Sequence, residues 1–416
     1  MRTFLPTNLL IPREPLLPAW AVIACDQFTS QPEYWAEVRS LTAGRPSALN
    51  LILPEAELGS CDVPGRVREI RAAMDACLTG DVFRELPDSL VYLERTLADG
   101  SIRRGVVGTV DLEAYDPSPR STARIRATER TVAERIPPRA AVRRGAQLDL
   151  SHVLMLCDDA ECRVIEPLTE EKAGLPQVYG FDLMLSGGHV AGWQVAGEAL
   201  ARFMARLADY EAAMDARYAA LGTAPLWYAV GDGNHSLATA KACWEEMKAA
   251  DPALAGSAHP ARFAMVELEN IHDPVQRFEP IHRTLRGADV PALMEALAPL
   301  CAPDAAAGYP VGWVSGAKAG TLFLRRTLGE LPVGILQQFL DGWLAEHPGE
   351  TDYIHGEDTA EALGRAPGAV SFLLPGIGKG DFFRSIALDG VMPRKTFSMG
   401  HAREKRYYLE ARRLLP

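Results

Sequence analysis

The stretch Val230-Gly231-Asp232-Gly233-Asn234-His235-Ser236 decides how this 416-residue chain is read. It continues the short apolar run Leu226-Trp227-Tyr228-Ala229-Val230, which reads as a strand, and it precedes Leu237 to Ala250, whose apolar spacing reads as a helix. A strand that ends in a Gly-x-Gly turn and opens a helix gathers backbone N–H groups without intrahelical partners at one point, where an anion can sit. Gly231 and Gly233 tolerate positive φ and close backbone approach, Ser236 can cap the helix, and Asp232 and His235 bring a carboxylate and an imidazole to the same mouth. The pattern predicts a phosphate cradle carrying acid/base groups. The plainer alternative is a capped turn in which Asp232 and His235 bond only backbone. A Walker A loop is excluded because G-x-x-x-x-G-K-[ST] does not occur, and a dinucleotide fingerprint because the third glycine is missing.

Outward from this turn, strands and helices are interspersed without repeats, which predicts an α/β or α+β fold with mixed sheets. Leu90 to Leu97 and Ile102 to Leu112 read as strands joined at Asp99-Gly100, the strongest hairpin signal in the chain. A second hairpin is expected between His152 to Leu156 and Val164 to Pro167, a long amphipathic helix from Gly192 to Ala220, and a closing helix from Arg403 to Leu415. Length suggests two to three domains, Pro/Gly-rich breaks stand at 117–119, 137–138 and 303–310, and parts 1–150, 151–302 and 303–416 are expected, interleaved around one cleft.

Composition narrows the function classes. A formal net charge of −11 argues against coating a polyanion, so nucleic acid is not an expected partner, but it leaves room for a small anionic ligand in a local basic pocket. Seven cysteines lack zinc-finger or C-x-x-C spacing and read as scattered reduced thiols. No apolar run approaches the ~18 residues of a membrane span, and no secretory leader pattern stands at the N-terminus. A cytoplasmic protein is expected.

Further groups are candidates for the same site. Asp26 leaves a predicted strand at its carboxyl end. Glu129 and Arg135 belong to a charged run of both signs, for which a solvated helix face is the ordinary explanation. Glu279, His282 and Arg283 lie together in Phe278-Glu279-Pro280-Ile281-His282-Arg283, and Arg394 and Lys395 offer a guanidinium fork and an ammonium for phosphate oxygens. Ser186-Gly187-Gly188-His189 is a possible ligand loop, although Gly-Gly also serves as a plain connection.

The set I-P-P-R-A-A-V-R-R-G (136–145), V-G-D-G-N-H-S-L-A-T-A-K (230–241), P-I-H-R (280–283) and M-P-R-K-T-F-S-M-G-H (392–401) resembles the bacterial and archaeal family known as domain of unknown function 1015. The central turn also resembles the D-G-H-H-R turn of ParB/sulfiredoxin-like proteins, some of which phosphorylate free serine. That resemblance implies a ParB/sulfiredoxin-like core with added elements, and places Asp232, Gly233, Asn234 and His235 around nucleotide phosphates and magnesium, with Asp232 as the metal ligand. Asn234 and Ser236 here replace a histidine and an arginine, so Arg283, Arg394 or Lys395 would have to supply the positive charge.

These observations favour a phosphotransferase using Mg²⁺ and a purine nucleotide, ATP or ADP, on a small hydroxyl-bearing, serine-like metabolite. The helix start and basic side chains would bind phosphate, Asp26 or Glu279 would accept the hydroxyl proton, and His235 would stabilise the transferring group. Two alternatives stay open: a non-catalytic sensor of a nucleotide or anionic metabolite, and a metal-assisted hydrolase built on Asp232, His235 and His282.

Overall fold

The computed structural model describes residues 2–24, 28, 31–57, 61–150, 152–400 and 402–415. Strands and eleven α-helices alternate along these residues in the mixed α/β fold that the periodicity predicts. The chain forms two compact units. Unit 1 comprises Met1–Ala127, Thr131–Gln276 and His401–Pro416; unit 2 comprises Thr128–Arg130 and Arg277–Gly400. The expected breaks after 150 and after 302 fall inside unit 1 and inside unit 2 respectively.

Unit 1 is organised by a 13-stranded mixed sheet. At its centre lies the Asp99-Gly100 hairpin, in which Phe83–Thr96 and Ile102–Asp111 pair antiparallel and Gly100 adopts φ 81°. Val91, Tyr92, Val106 and Val107 of these strands are fully buried, because the sheet is covered on both faces there. Ile102–Asp111 pairs with Phe263–Asn270, whose other neighbour is Leu154–Cys157 in parallel, and that strand in turn pairs antiparallel with Tyr228–Asp232. The site-bearing strand is thereby fixed from the middle of the sheet outward.

Three expectations differ from the structure for identifiable reasons. Val164–Pro167 is not a strand, because the Asp159 carboxylate accepts the N–H groups of Arg163 and Val164 and holds a turn, while Val164 and Ile165 enter the core. The long helix begins at Gly197, since His189–Val195 pairs along Phe83–Thr96 as a strand. The expected closing helix is replaced by strands Tyr407–Tyr408 and Ala411–Arg413. The first pairs with Val22–Ile23, and the second is held between Thr7–Pro12 and Leu148–Leu150. Long-range pairing outweighs a local helical pattern there.

Unit 2 is a six-stranded antiparallel sheet ordered Lys318–Arg325, Gly308–Ser315, Ala369–Leu373, Phe278–Arg286, Glu350–His355, with Phe397–Met399 paired to the start of Phe278–Arg286. Helices Pro332–Glu346 and Lys379–Leu388 contribute Leu336, Leu340, Phe382 and Phe383 to its buried interior.

Candidate functional site

In unit 1 the strand Tyr228–Asp232 runs into helix Asn234–Ala250 through Gly233, as the sequence predicts. Gly233 has φ 87°, and a Cβ there would stand 3.1 Å from the backbone of Val153, so both conformation and space demand glycine. The register against Leu154–Cys157 slips between Val230 and Asp232, which leaves Gly231 as the bulged residue at the strand end. The helix has no side-chain cap, and the N–H groups of its first turn find no carbonyl within the helix.

Asp232 stands at this junction. Its Oδ1 accepts the Gly233 N–H at 2.9 Å, and its Oδ2 lies 3.1 Å from the Lys405 ammonium. Burial pushes the carboxyl up, but the Lys405 charge, the His152 imidazole and the two donated hydrogen bonds outweigh it and hold Asp232 below the usual carboxylate value. Ser236 Oγ is 3.3 Å from His152 Nε2, and the His152 ring meets Tyr408 edge-on at 5.0 Å. Burial raises the Tyr408 phenol, with the Arg139 charge opposing and Asp232 reinforcing it. Asn234 is buried. His235 Nε2 accepts the Val132 N–H at 3.0 Å, so that nitrogen carries no proton to give. Any contact by which His235 stabilises a transferring group would therefore not be a hydrogen bond donated from Nε2.

Lys405 is presented by a heavily bonded segment. Arg95, 2% exposed on Phe83–Thr96, donates to the carbonyls of Arg403, Glu404 and Lys405 at 2.6, 3.0 and 2.6 Å. Arg103 donates to Glu404 O at 2.6 Å and pairs with the fully buried Glu269. Arg406 bridges the buried carboxylates of Glu267 and Glu410. Burial, with the neighbouring Glu267, pushes the Glu269 carboxyl up to about 8 against the opposing pull of Arg103.

The other candidates distribute as follows. Asp26 lies outside the described residues. Arg135 is in unit 1, exposed, with its carbonyl accepting from Arg139 at 2.8 Å. Glu129, Glu279, His282, Arg283, Arg394 and Lys395 all belong to unit 2. Glu279 is exposed on a strand, and Arg394 and Lys395 are exposed in the turn that precedes Phe397–Met399. Glu129 forms a bridge with Met392. His282 is buried, its Nδ1 accepts the Leu374 N–H at 3.1 Å, and burial lowers its pKa. Arg283 is wholly buried and donates to Gln337 Oε1 at 2.7 Å and to the carbonyls of Ile281, Lys395 and Arg394 at 2.6, 2.9 and 3.3 Å. Its guanidinium also stacks on Tyr353. The expectation of a phosphate-binding Arg283 is therefore corrected: its donors hold the turn that carries Arg394 and Lys395. The positive charge at the Asp232 turn is Lys405, with His152 and Tyr408 alongside. Sequence reasoning finds none of the three, because Lys405 and Tyr408 fall in the expected closing helix Arg403 to Leu415 and His152 in an expected hairpin strand.

The sequence model of the family described as "Protein of unknown function (DUF1015)" matches residues 5–412. No curated protein matches the chain. Among solved structures, the chain is similar to SbnI with a C-terminal truncation from Staphylococcus aureus, at 10% identity and a TM-score of 0.36, covering 71% of this chain and 83% of that one. It is similar to a free serine kinase in complex with AMP, at 12% identity and a TM-score of 0.37, covering 74% and 91%. A conserved hypothetical protein from Pyrococcus furiosus is similar at 11% identity and a TM-score of 0.33, covering 74% and 94%.

Proposed function

We propose that this chain, which belongs to the DUF1015 family, is a nucleotide-dependent phosphotransferase acting on the hydroxyl of a small metabolite, with the 230–236 turn as the phosphate end of its site. The observation that carries this reading is the Lys405–Asp232 pair at 3.1 Å, set beside the first turn of a 17-residue helix. An ammonium and an ionised carboxylate at one partly exposed helix start suit phosphate oxygens and their counter-ion.

Each residue has a role in this reading. Lys405 binds phosphate as a point charge, and the N–H groups of the Asn234–Ala250 helix start add neutral donors. Among the described residues no group of three or more His, Cys, Asp or Glu side chains is placed to hold a metal ion. One carboxylate is nevertheless enough for Mg²⁺ that arrives with nucleotide phosphates, and Asp232 fits that use. When bound, Mg²⁺ neutralises charge on the phosphate oxygens. In this reading His152, whose Nε2 lies 3.3 Å from the Ser236 hydroxyl, takes the proton of an acceptor hydroxyl when its imidazole is neutral. Asp26 is the second candidate for that proton.

Calorimetric titration with ATP and Mg²⁺ tests the proposal. Wild-type protein is expected to bind, Lys405→Met to weaken binding at least tenfold, about 1.4 kcal/mol, and Asp232→Asn to remove the dependence on Mg²⁺. Absence of binding by any purine nucleotide well above millimolar concentration overturns it. Binding without turnover across a panel of hydroxyl-bearing metabolites would instead make the protein a nucleotide sensor.

A further inference from the structure

A cavity of about 470 Å³ in unit 1 remains outside this account. Phe28, Leu97 and Ala98 give it apolar surface, and Ser186 and Glu404 add a hydroxyl and a carboxylate. We infer that this cavity holds the heteroaromatic base of a purine nucleotide whose phosphates reach the Asp232 turn. The inference rests on the phosphotransferase reading and adds to it the location of the base.

Size separates the two ligands that a phosphotransferase must hold. Pockets for drug-sized molecules occupy roughly 300–1,000 Å³, and this cavity falls in that range, which suits a base with its attached ribose better than a metabolite of a few heavy atoms. Surface chemistry agrees: a base offers two apolar faces and a polar edge. The Phe28 ring is held firmly, stacked on Tyr34 at a centroid distance of 4.0 Å and an interplanar angle of 10°.

The lining is also anchored. Arg95 donates two hydrogen bonds to Gly187 O, at 3.1 and 2.8 Å, while its remaining donors hold the carbonyls of Arg403, Glu404 and Lys405. One buried guanidinium thus fixes both the 186–187 and the 403–404 parts of the lining. Leu185 and Ser186 adopt φ 55° and 60°, an unfavourable conformation for side-chain-bearing residues. Gly188 follows at φ 86°, where a Cβ would stand 2.1 Å from Thr96 O. Strain of this kind persists only where surrounding contacts impose it, and it concentrates at ligand sites. Finally, Glu404 lines the cavity and the next residue, Lys405, pairs with Asp232, so consecutive residues of one segment serve the cavity and the turn.

Three probes separate the two ends: adenosine carries only the base half, tripolyphosphate only the charge, and ATP both. Ala98 is exposed at the hairpin turn, so Ala98→Trp can fill the cavity without disturbing the core, and Ala98→Ser controls for the change of residue. Titrations are expected to show Ala98→Trp weakening adenosine and ATP at least tenfold while tripolyphosphate binds as to wild type. Ala98→Ser is expected to match wild type, and Lys405→Met to weaken tripolyphosphate and ATP but spare adenosine. Wild-type affinity of Ala98→Trp for ATP, or failure of adenosine to bind wild type, overturns the base pocket and leaves the role of Lys405 standing. Failure of tripolyphosphate to bind wild type overturns the phosphate end instead, and the adenosine titrations still decide the cavity.

Discussion

Two charge-bearing segments, the 230–236 turn of unit 1 and the 278–286 strand of unit 2, look alike in sequence and differ in what their polar groups face. Each combines a histidine with a charged partner near apolar residues. In the turn, Asp232 keeps a third of its side chain exposed, and its charged partner, Lys405, comes from a distant segment of the chain. In the strand, His282 and Arg283 are sealed within a sheet and bonded to backbone and to Gln337. A strand interior offers its side chains only neighbours, whereas a strand end that opens a helix leaves backbone donors facing outward. Position within the element, more than residue type, separates a ligand-facing group from a framework group.

The largest test of this contrast is Arg283→Met. Each buried acceptor left without its donor costs about 1–3 kcal/mol, so unfolding in urea should show a loss of roughly 3 kcal/mol or more, with tripolyphosphate affinity unchanged. A stable variant with lost affinity would erase the distinction between the two segments. Gly233→Ala acts on the other side. Its left-handed backbone should cost about 1–2 kcal/mol, with the Val153 contact adding to it, and the displaced helix start should weaken tripolyphosphate binding as well. Unchanged binding would mean that the helix start does not touch the ligand.

Smaller effects come from pH. His282 is held below its ordinary value, so the unfolded chain takes up a proton first. Its contribution to stability is present above about pH 6.5 and is lost as pH falls through the lower folded value. Asp232 is also lowered, so its contribution persists further into acid and fades only below about pH 4. Melting temperature measured against pH should therefore lose part of its decline below about pH 6.5 in His282→Asn, and part of its decline below about pH 4 in Asp232→Asn. Interchanged windows would show the assignment of the two environments to be wrong.

The Asp232 turn was legible because every cue for it is local: an apolar run, two glycines and a helix-forming segment in sequence. The Asp99-Gly100 hairpin was legible for the same reason. Lys405, His152 and Arg95 were not, because their relation to the turn is made by strand pairing across the sheet, which no local spacing encodes. The 403–415 stretch alternates charge and apolarity in a way that fits a helix, and only the partner strands Val22–Ile23 and Thr7–Pro12 turn it into sheet. Arg283 was misread because a guanidinium beside a histidine says nothing about whether both faces of its strand are covered.

The return of residues 401–416 to unit 1 has a consequence for how the protein comes into being. Synthesis proceeds from the N-terminus, so most of unit 1 leaves the ribosome before unit 2, yet its sheet waits for the strand Ala411–Arg413 and its turn waits for Lys405. A nascent chain that has reached only residue 400 already carries the carboxylate of Asp232 but not its ammonium. Completion of the sheet and arrival of the site's cation are therefore a single late event, and a partly made chain does not present the paired site.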